Sequence, residues 1–412
     1  MYKSRLTVCD RAALQALRRV PAGAESEPRR QISFRYVRHQ PGARLNPELG
    51  TRNSELGTRN PDRKAITMRV GVDTFTLRDL KLDPFQQLET IKKWGLDGAQ
   101  FGGLRGFSRT LEPAKLKDVR DRADELGLYS HVSVSLTCNP QLTTLSREEH
   151  TRQLSEEIAA AAACGWHELH GSLGGGDERY VHPVPWSQQL ADSAAFIRGL
   201  GPVLRQHGSR IDLETHGDST TFELVRLVEA VGPDIAGICL DTANVMCHCE
   251  DPVLAAKRAA PYTHLTHTKD AVAFFTDHGF RRQTLPPGRG ALDWATILPI
   301  LAEYSPDLPM SIEDHKWLFD FHCFEPRWLA LHPDLTLDEY ALFMRLVWRC
   351  QQRFTSGEFK DPDEDEKTPH VAEVEARLRG GVEYLKALIP RLGLQDRGAT
   401  PKPFSLSMLN RG

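Results

Sequence analysis

Four side chains able to bind a metal stand at matching places between Ile211 and Glu313. Apolar runs within IDLETHGD, IAGICLDTAN, YTHLTHTKD and LPMSIEDH end at Glu214, Asp241, His267 and Glu313. Three carboxylates and one imidazole make a hard, mostly oxygen donor set. It suits Mn²⁺ or Mg²⁺ and can also take Co²⁺ or Fe²⁺. A structural zinc site would use thiolates, and none of the four positions is a cysteine. The chemistry expected is metal-dependent and directed at a small oxygenated molecule.

Those groups meet only if the chain brings the ends of distant segments together. Helix-like segments separate the runs, at Phe222–Val231, Pro252–Ala260 and Leu292–Tyr304. Run, ligand and helix in repetition is the pattern of consecutive strands in a parallel α/β protein. The same alternation begins at Arg69. Strands are expected at Arg69–Phe75, Leu96–Gly103, Leu128–Leu136 and His167–Gly176, and helices at Pro84–Trp94, Pro113–Leu126, Arg147–Cys164 and Ser187–His207. Eight strands alternating with helices favour a closed (β/α)8 TIM barrel over an open sheet. In such a barrel the C-terminal strand ends converge on one site. Leu335–Arg353 reads as the eighth barrel helix, the acidic run Asp361–Lys367 as a solvated linker, and Val371–Leu394 as one more amphipathic helix before a loose tail. The expected organisation is an extension over 1–67, a catalytic barrel over 68–353, and a linker, helix and tail over 354–412.

The 412 residues are 40% hydrophobic and 26% charged, which suits a globular protein with one barrel of roughly 250 residues plus insertions. Residues 1–67 hold 14 Lys and Arg against 6 Asp and Glu, leaving 38 basic and 49 acidic residues for the rest. An acidic body argues against a nucleic-acid partner, since phosphate contacts need a basic face. The extension is rich in Arg and Pro, repeats ELGTRN, and shows no helix or strand periodicity. It reads as disordered or as translated upstream of a natural start at Met68; its six acidic residues weigh against a mitochondrial presequence. No apolar run approaches the ~18 residues of a membrane span. Eight cysteines without framework spacing, and no signal-peptide core, indicate reduced thiols and a cytoplasmic location. Cys247-His248-Cys249 lacks the partner pair that a zinc motif needs.

From Met68 to about Arg353 the chain resembles the xylose-isomerase-like TIM-barrel superfamily of sugar and sugar-phosphate isomerases and epimerases. The residues that carry this are ETHGD (Glu214–Asp218), LDTAN (Leu240–Asn244), HTKD (His267–Asp270), GRGALDW (Gly288–Trp294) and IED (Ile312–Asp314). The resemblance puts the family's metal ligands on Glu214, Asp241, His267 and Glu313. It implies that Glu214 and Glu313 are a catalytic pair, one removing a proton beside a carbonyl and the other returning it. Many members have histidine where this chain has Asn244. That departure, with the aromatic stretch after Glu313, points to a substrate other than a simple free ketose.

Further substrate contacts are expected at His216, on the same side of its strand as Glu214, and at Asn244, Lys269, Asp270, Arg289, His170 and His131. Lys269 can neutralise an anionic substrate group, and Asp270 can orient a ligand or pair with that lysine. Phe75, Phe101, Phe274, Phe275 and Trp317 are candidates for the pocket wall. The reading is a divalent-metal-dependent isomerase or epimerase of a sugar or keto-sugar. The alternative is a lyase of the same superfamily, decarboxylating a 3-oxo sugar acid or eliminating from a 3-keto-glycoside. The superfamily's DNA-cutting branch would need a basic groove, and a non-catalytic barrel would not need all four ligands. The partner expected is a small carbohydrate-derived molecule, with neither nucleic acid nor membrane; assembly into a homo-oligomer is left open.

Overall fold

The computed structural model describes residues 68–393. The expectations for the extension over 1–67 and for the final tail lie outside the described residues. Eight parallel strands close a barrel: β1 (Val70–Asp73), β2 (Gly98–Gly103), β3 (Tyr129–Ser133), β4 (Glu168–Gly171), β5 (Arg210–Glu214), β6 (Ala236–Asp241), β7 (Thr263–Thr268) and, after two further strands, β10 (Met310–Ile312). The chain is therefore a TIM barrel. Around it lie α1 (Pro84–Lys93), α2 (Pro113–Glu125), α3 (Arg147–Ala163), the short α4 (Glu178–Val181), α5 (Trp186–His207), α6 (Thr221–Val231), α7 (Pro252–Ala259) and α8 (Trp294–Tyr304).

Local chemistry sets these boundaries. Asp83 and Thr220 start α1 and α6 through capping boxes with Gln86 and Glu223, which satisfy otherwise orphaned N–H groups. Gly208 stops α5 in the left-handed conformation, at φ 59°. β6, AGICLD, is buried at every position, as expected of a parallel strand covered on both faces. Inside the barrel, Gly71 and Gly98 leave room for Tyr129; a Cβ on Gly98 would lie 2.2 Å from the ring.

Three features depart from the sequence reading. A three-stranded antiparallel sheet, ordered β11-β9-β8, rises beside the barrel from β8 (Asp270–Thr276), β9 (Gly279–Leu285) and β11 (Leu318–Phe321). The hairpin between Asp270 and Leu285 was not expected, and the aromatic stretch after Glu313 supplies its third strand and α9 (Pro326–Ala330). The assignment of Leu335–Arg353 as the eighth barrel helix is corrected. That segment, α10 (Leu337–Thr355), packs on β8, whereas α12 (His370–Arg391) lies along β1 and the 3-10 turn Thr74–Leu80. Two anchors hold α12: Arg377 forks onto Asp314 at 2.6 and 2.7 Å, and Lys386 reaches Asp97 at 2.6 Å. The acidic run is likewise not simply solvated. It forms α11 (Pro362–Asp365), where Asp365 accepts from Gln283 at 3.1 Å and its backbone oxygen takes Lys316 Nζ at 2.7 Å.

Candidate metal centre

Glu214 and Asp241 end β5 and β6, His267 lies one residue before the end of β7, and Glu313 follows β10. Strand register makes Asp241 and Ser311 the two lateral neighbours of His267, so the ligand-bearing ends meet at one level. One donor atom from each of the four residues lies within 4.8 Å of the other three, and all four side chains are buried. His267 Nδ1 is 3.0 Å from Glu214 Oε1 and 3.0 Å from Glu313 Oε2. Its Nε2 faces away, 2.6 Å from Gln100 Nε2 and 3.4 Å from Asp73 Oδ2. Lys269, only 2% exposed, places Nζ 2.7 Å from Asp241 Oδ2 and 2.9 Å from Glu313 Oε2.

The electrostatics of this cluster follow from its crowding. Burial alone would raise the Glu214 carboxyl, but His267, His216 and hydrogen bonding from His170 hold it well below the usual carboxylate range. Glu313 is likewise held low against burial, by Lys269 and His267. For Asp241 burial wins over Lys269, and its carboxyl is raised. Burial disfavours a charged His267, yet Cys239, Glu214 and Glu313 together push it well above its ordinary value.

These residues fit a divalent cation. Asp241 Oδ2 and Glu313 Oε2 are buried without an aligned hydrogen bond, despite their closeness to Lys269, which leaves lone pairs directed into the cluster. The Gln100 Oε1 is also orphaned. Turning that amide over would set Oε1 against His267 Nε2–H and leave Nδ1 bare toward the carboxylates. A metal-binding histidine has this arrangement, one nitrogen on the metal and the other donating outward.

Glu214, His267 and Glu313 of the cluster line a pocket of about 1230 Å³, with Asp241 behind them outside its lining. His216, Asn244, Lys269 and His170 of the expected substrate contacts line it. His170 Nε2 is 3.2 Å from Glu214 Oε2, and its Nδ1 is 2.8 Å from Ser133 Oγ. Asn244 Oδ1 accepts from Arg282 at 2.8 Å, and its amide nitrogen lies 3.5 Å from Glu214 Oε1. Three expected contacts fall elsewhere. The Asp270 carboxylate is buried under the GRGALDW loop, accepting from Gly288 N, Leu292 N and the Trp294 indole at 2.9–3.1 Å. It therefore holds the loop in shape and does not pair with Lys269. Arg289 lines a separate cavity of about 470 Å³ beside Arg377 and Glu373, because the loop turns away from the barrel mouth. His131 sits against Tyr129 at 5.6 Å, outside the pocket lining; burial and Arg69 push its imidazole down to about 4.

Of the proposed wall, Phe75 and Trp317 line the pocket. Phe101 instead packs on Phe107, Phe274 on Phe354, and Phe275 on Phe324. Residues that the sequence reading did not single out are Asp73, Gln100, Ser133, Tyr180, Arg282 and His315. Arg282 is buried, bonded to Asn244 and stacked over Phe319 at 4.9 Å.

Residues 88–322 match the family model described as a xylose isomerase-like TIM barrel. The chain is 26% identical over 194 residues to the 3-oxo-isoapionate decarboxylase of Pectobacterium atrosepticum, covering 45% of this chain and 62% of that protein. It is 22% identical over 222 residues to the uncharacterized protein YihM of Escherichia coli K12, covering 54% and 61%. The chain thus spans about three fifths of the length of these relatives. Among solved structures, D-psicose 3-epimerase of Clostridium cellulolyticum H10 with D-tagatose aligns at TM-score 0.54 and 14% identity, over 78% of this chain and 99% of that one. At that identity the likeness concerns the fold alone.

Proposed function

We propose, from the premise that this chain belongs to the xylose isomerase-like TIM barrel family, that it is a divalent-metal-dependent isomerase or epimerase of a sugar or keto-sugar derivative. The observation that carries the reading is the placing of two glutamates on one imidazole nitrogen. Glu214 and Glu313 come from β5 and the end of β10, yet both lie 3.0 Å from His267 Nδ1 at the pocket floor. Both are held ionised, the state needed to accept a proton. Glu214, Asp241, His267 and Glu313 would hold Mn²⁺ or Mg²⁺, and such an ion supplies Lewis-acid polarisation of a substrate carbonyl. One glutamate then removes the proton from the neighbouring carbon and the other returns it. Lys269 offsets the negative charge of the carboxylate set, and His170 orients Glu214. Phe75, Trp317 and Phe319 offer an apolar wall for the carbon skeleton of a substrate.

A lyase reading is supported by one observation, the similarity to a 3-oxo-isoapionate decarboxylase. Both readings share the proton-transfer centre and differ in whether a neighbouring group leaves. The test is metal-loaded protein in D₂O with ketoses, 3-oxo sugar acids and 3-keto-glycosides, followed by NMR. Exchange or epimerisation without loss of CO₂ or aglycone is the expected outcome, and release of either selects the lyase. Glu214→Gln and Glu313→Gln should each slow exchange about 10²–10⁴-fold. If both variants keep full exchange, the two-glutamate reading is wrong.

A further inference from the structure

Cys239 stands on β6 two residues before Asp241, so strand alternation turns both toward the barrel interior, with the cysteine one layer deeper. It is fully buried, and Gln100 Nε2 lies 4.0 Å from its sulfur. His170, on β4, faces His267 with ring centroids 5.0 Å apart. One donor atom from each of His170, Cys239 and His267 lies within 4.8 Å of the other two. We infer that these three residues form a second metal site, specific for a thiophilic divalent cation such as Zn²⁺, overlapping the oxygen-rich centre through His267.

The donor chemistry separates the two sites. Two imidazoles and one thiolate are borderline-soft ligands that select Zn²⁺, whereas the carboxylate-rich set suits Mn²⁺ or Mg²⁺. Zinc bonds of about 2.3 Å to sulfur and 2.0–2.1 Å to nitrogen put tetrahedral donors roughly 3.3–3.7 Å apart. Donors now within 4.8 Å of one another therefore close by no more than about 1.5 Å, which side-chain rotation supplies. With three protein ligands, a fourth position stays open for water. Entry is from the pocket, which His170 and His267 line directly. On binding, the thiol gives its proton to solvent and the sulfur takes the ion as thiolate.

A neutral imidazole offers one lone pair while its other nitrogen keeps the proton. His267 therefore serves one ion at a time, and Zn²⁺ at the softer site displaces the harder ion and inhibits. This exclusion rests on the oxygen-set reading given above; the thiolate site itself does not.

The probe is Co²⁺, titrated into the full chain. The expected result is a sulfur-to-cobalt charge-transfer absorption in the near ultraviolet for the wild type and its loss in Cys239→Ser, which still binds one Mn²⁺ per chain. Zn²⁺ should release bound Mn²⁺ one for one. His170→Gln leaves the buried cysteine in place and serves if Cys239→Ser misfolds. Because His170 also touches Glu214, the deciding result is a Zn²⁺ affinity that falls at least tenfold more than the Mn²⁺ affinity, and equal losses for both ions overturn the inference. Cobalt binding with no sulfur band overturns this inference and leaves the oxygen-rich centre standing. A band that persists in Cys239→Ser overturns it as well, as does simultaneous binding of one Zn²⁺ and one Mn²⁺.

Discussion

Replacing Asp314 by asparagine tests how the helix that follows the barrel supports the site. Asp314 is adjacent to Glu313 and fully buried. Arg377 of α12 forks onto it at 2.6 and 2.7 Å, His370 reaches it at 3.1 Å, and its backbone N–H donates to Thr76 Oγ1 at 2.9 Å. Burial would raise this carboxyl, but Arg377 and His370 bring it down from 3.8 to about 2. At 1.36 kcal/mol per pH unit, that difference contributes roughly 2–3 kcal/mol to folding. Because the folded carboxyl is the more acidic, the contribution is complete above about pH 4 and is lost as pH falls toward 2. Asp314→Asn also leaves a mostly buried guanidinium unpaired, which brings the expected cost at pH 7 to about 3–5 kcal/mol. Urea denaturation at pH 7, 4 and 3 should show a large loss of stability at pH 7 and 4 and a clearly smaller one at pH 3. A variant as stable as the wild type at pH 7, or a deficit that does not shrink at pH 3, would refute the reasoning.

Other outcomes follow from the same geometry. Since His267 is held protonated well above its ordinary pKa in the metal-free cluster, binding a cation must expel one proton. Metal affinity measured by calorimetry should therefore fall about tenfold for each pH unit below that raised pKa; an affinity independent of pH between 6 and 8 would contradict this. Gly98→Ala puts a methyl group 2.2 Å from the Tyr129 ring and should cost about 1–3 kcal/mol, read as a lower thermal midpoint; an unchanged midpoint would mean the barrel interior is looser than described. Arg258→Met removes the cation shared by the buried Glu250 and Glu339, at 2.8 and 2.6 Å. Burial raises both carboxyls, Glu250 to about 7. The variant should therefore lose about 3–5 kcal/mol above pH 8 and clearly less at pH 6, where protonation relieves the unpaired charge. A loss that does not grow from pH 6 to pH 8 in denaturant titration would contradict this.

The barrel was legible because each parallel strand is a short apolar run closed by a polar group, and the helices carry caps that sequence displays. The rule that found Glu214, Asp241 and His267 applies equally to VGVD, which ends at Asp73. That aspartate lies 3.4 Å from His267, but an aspartate at a strand end serves equally as a cap for the turn that follows, as Asp73 does by accepting from Phe75 N–H at 2.8 Å. Gln100 gave no such signal, since its position in the barrel depends on the closure of β1 onto β10. The hairpin from Asp270 to Leu285 escaped because its DHG turn region interrupts two strands whose faces do not alternate cleanly. With it went Arg282, whose link to Asn244 crosses 38 residues of sequence. Asp270 was misplaced for a related reason. HTKD reads as one strand end, but the chain passes from β7 into β8 between Thr268 and Asp270, and the carboxylate turns under the loop at Gly288–Trp294.

One titration bears most directly on the whole account: Mn²⁺ added to the purified full chain and to Asp241→Ala and His267→Ala, with bound metal counted per chain. The account predicts one ion per wild-type chain and none at the same free concentration in either variant, both still folded by circular dichroism. No binding by the wild type, or stoichiometric binding retained by both variants, would contradict it.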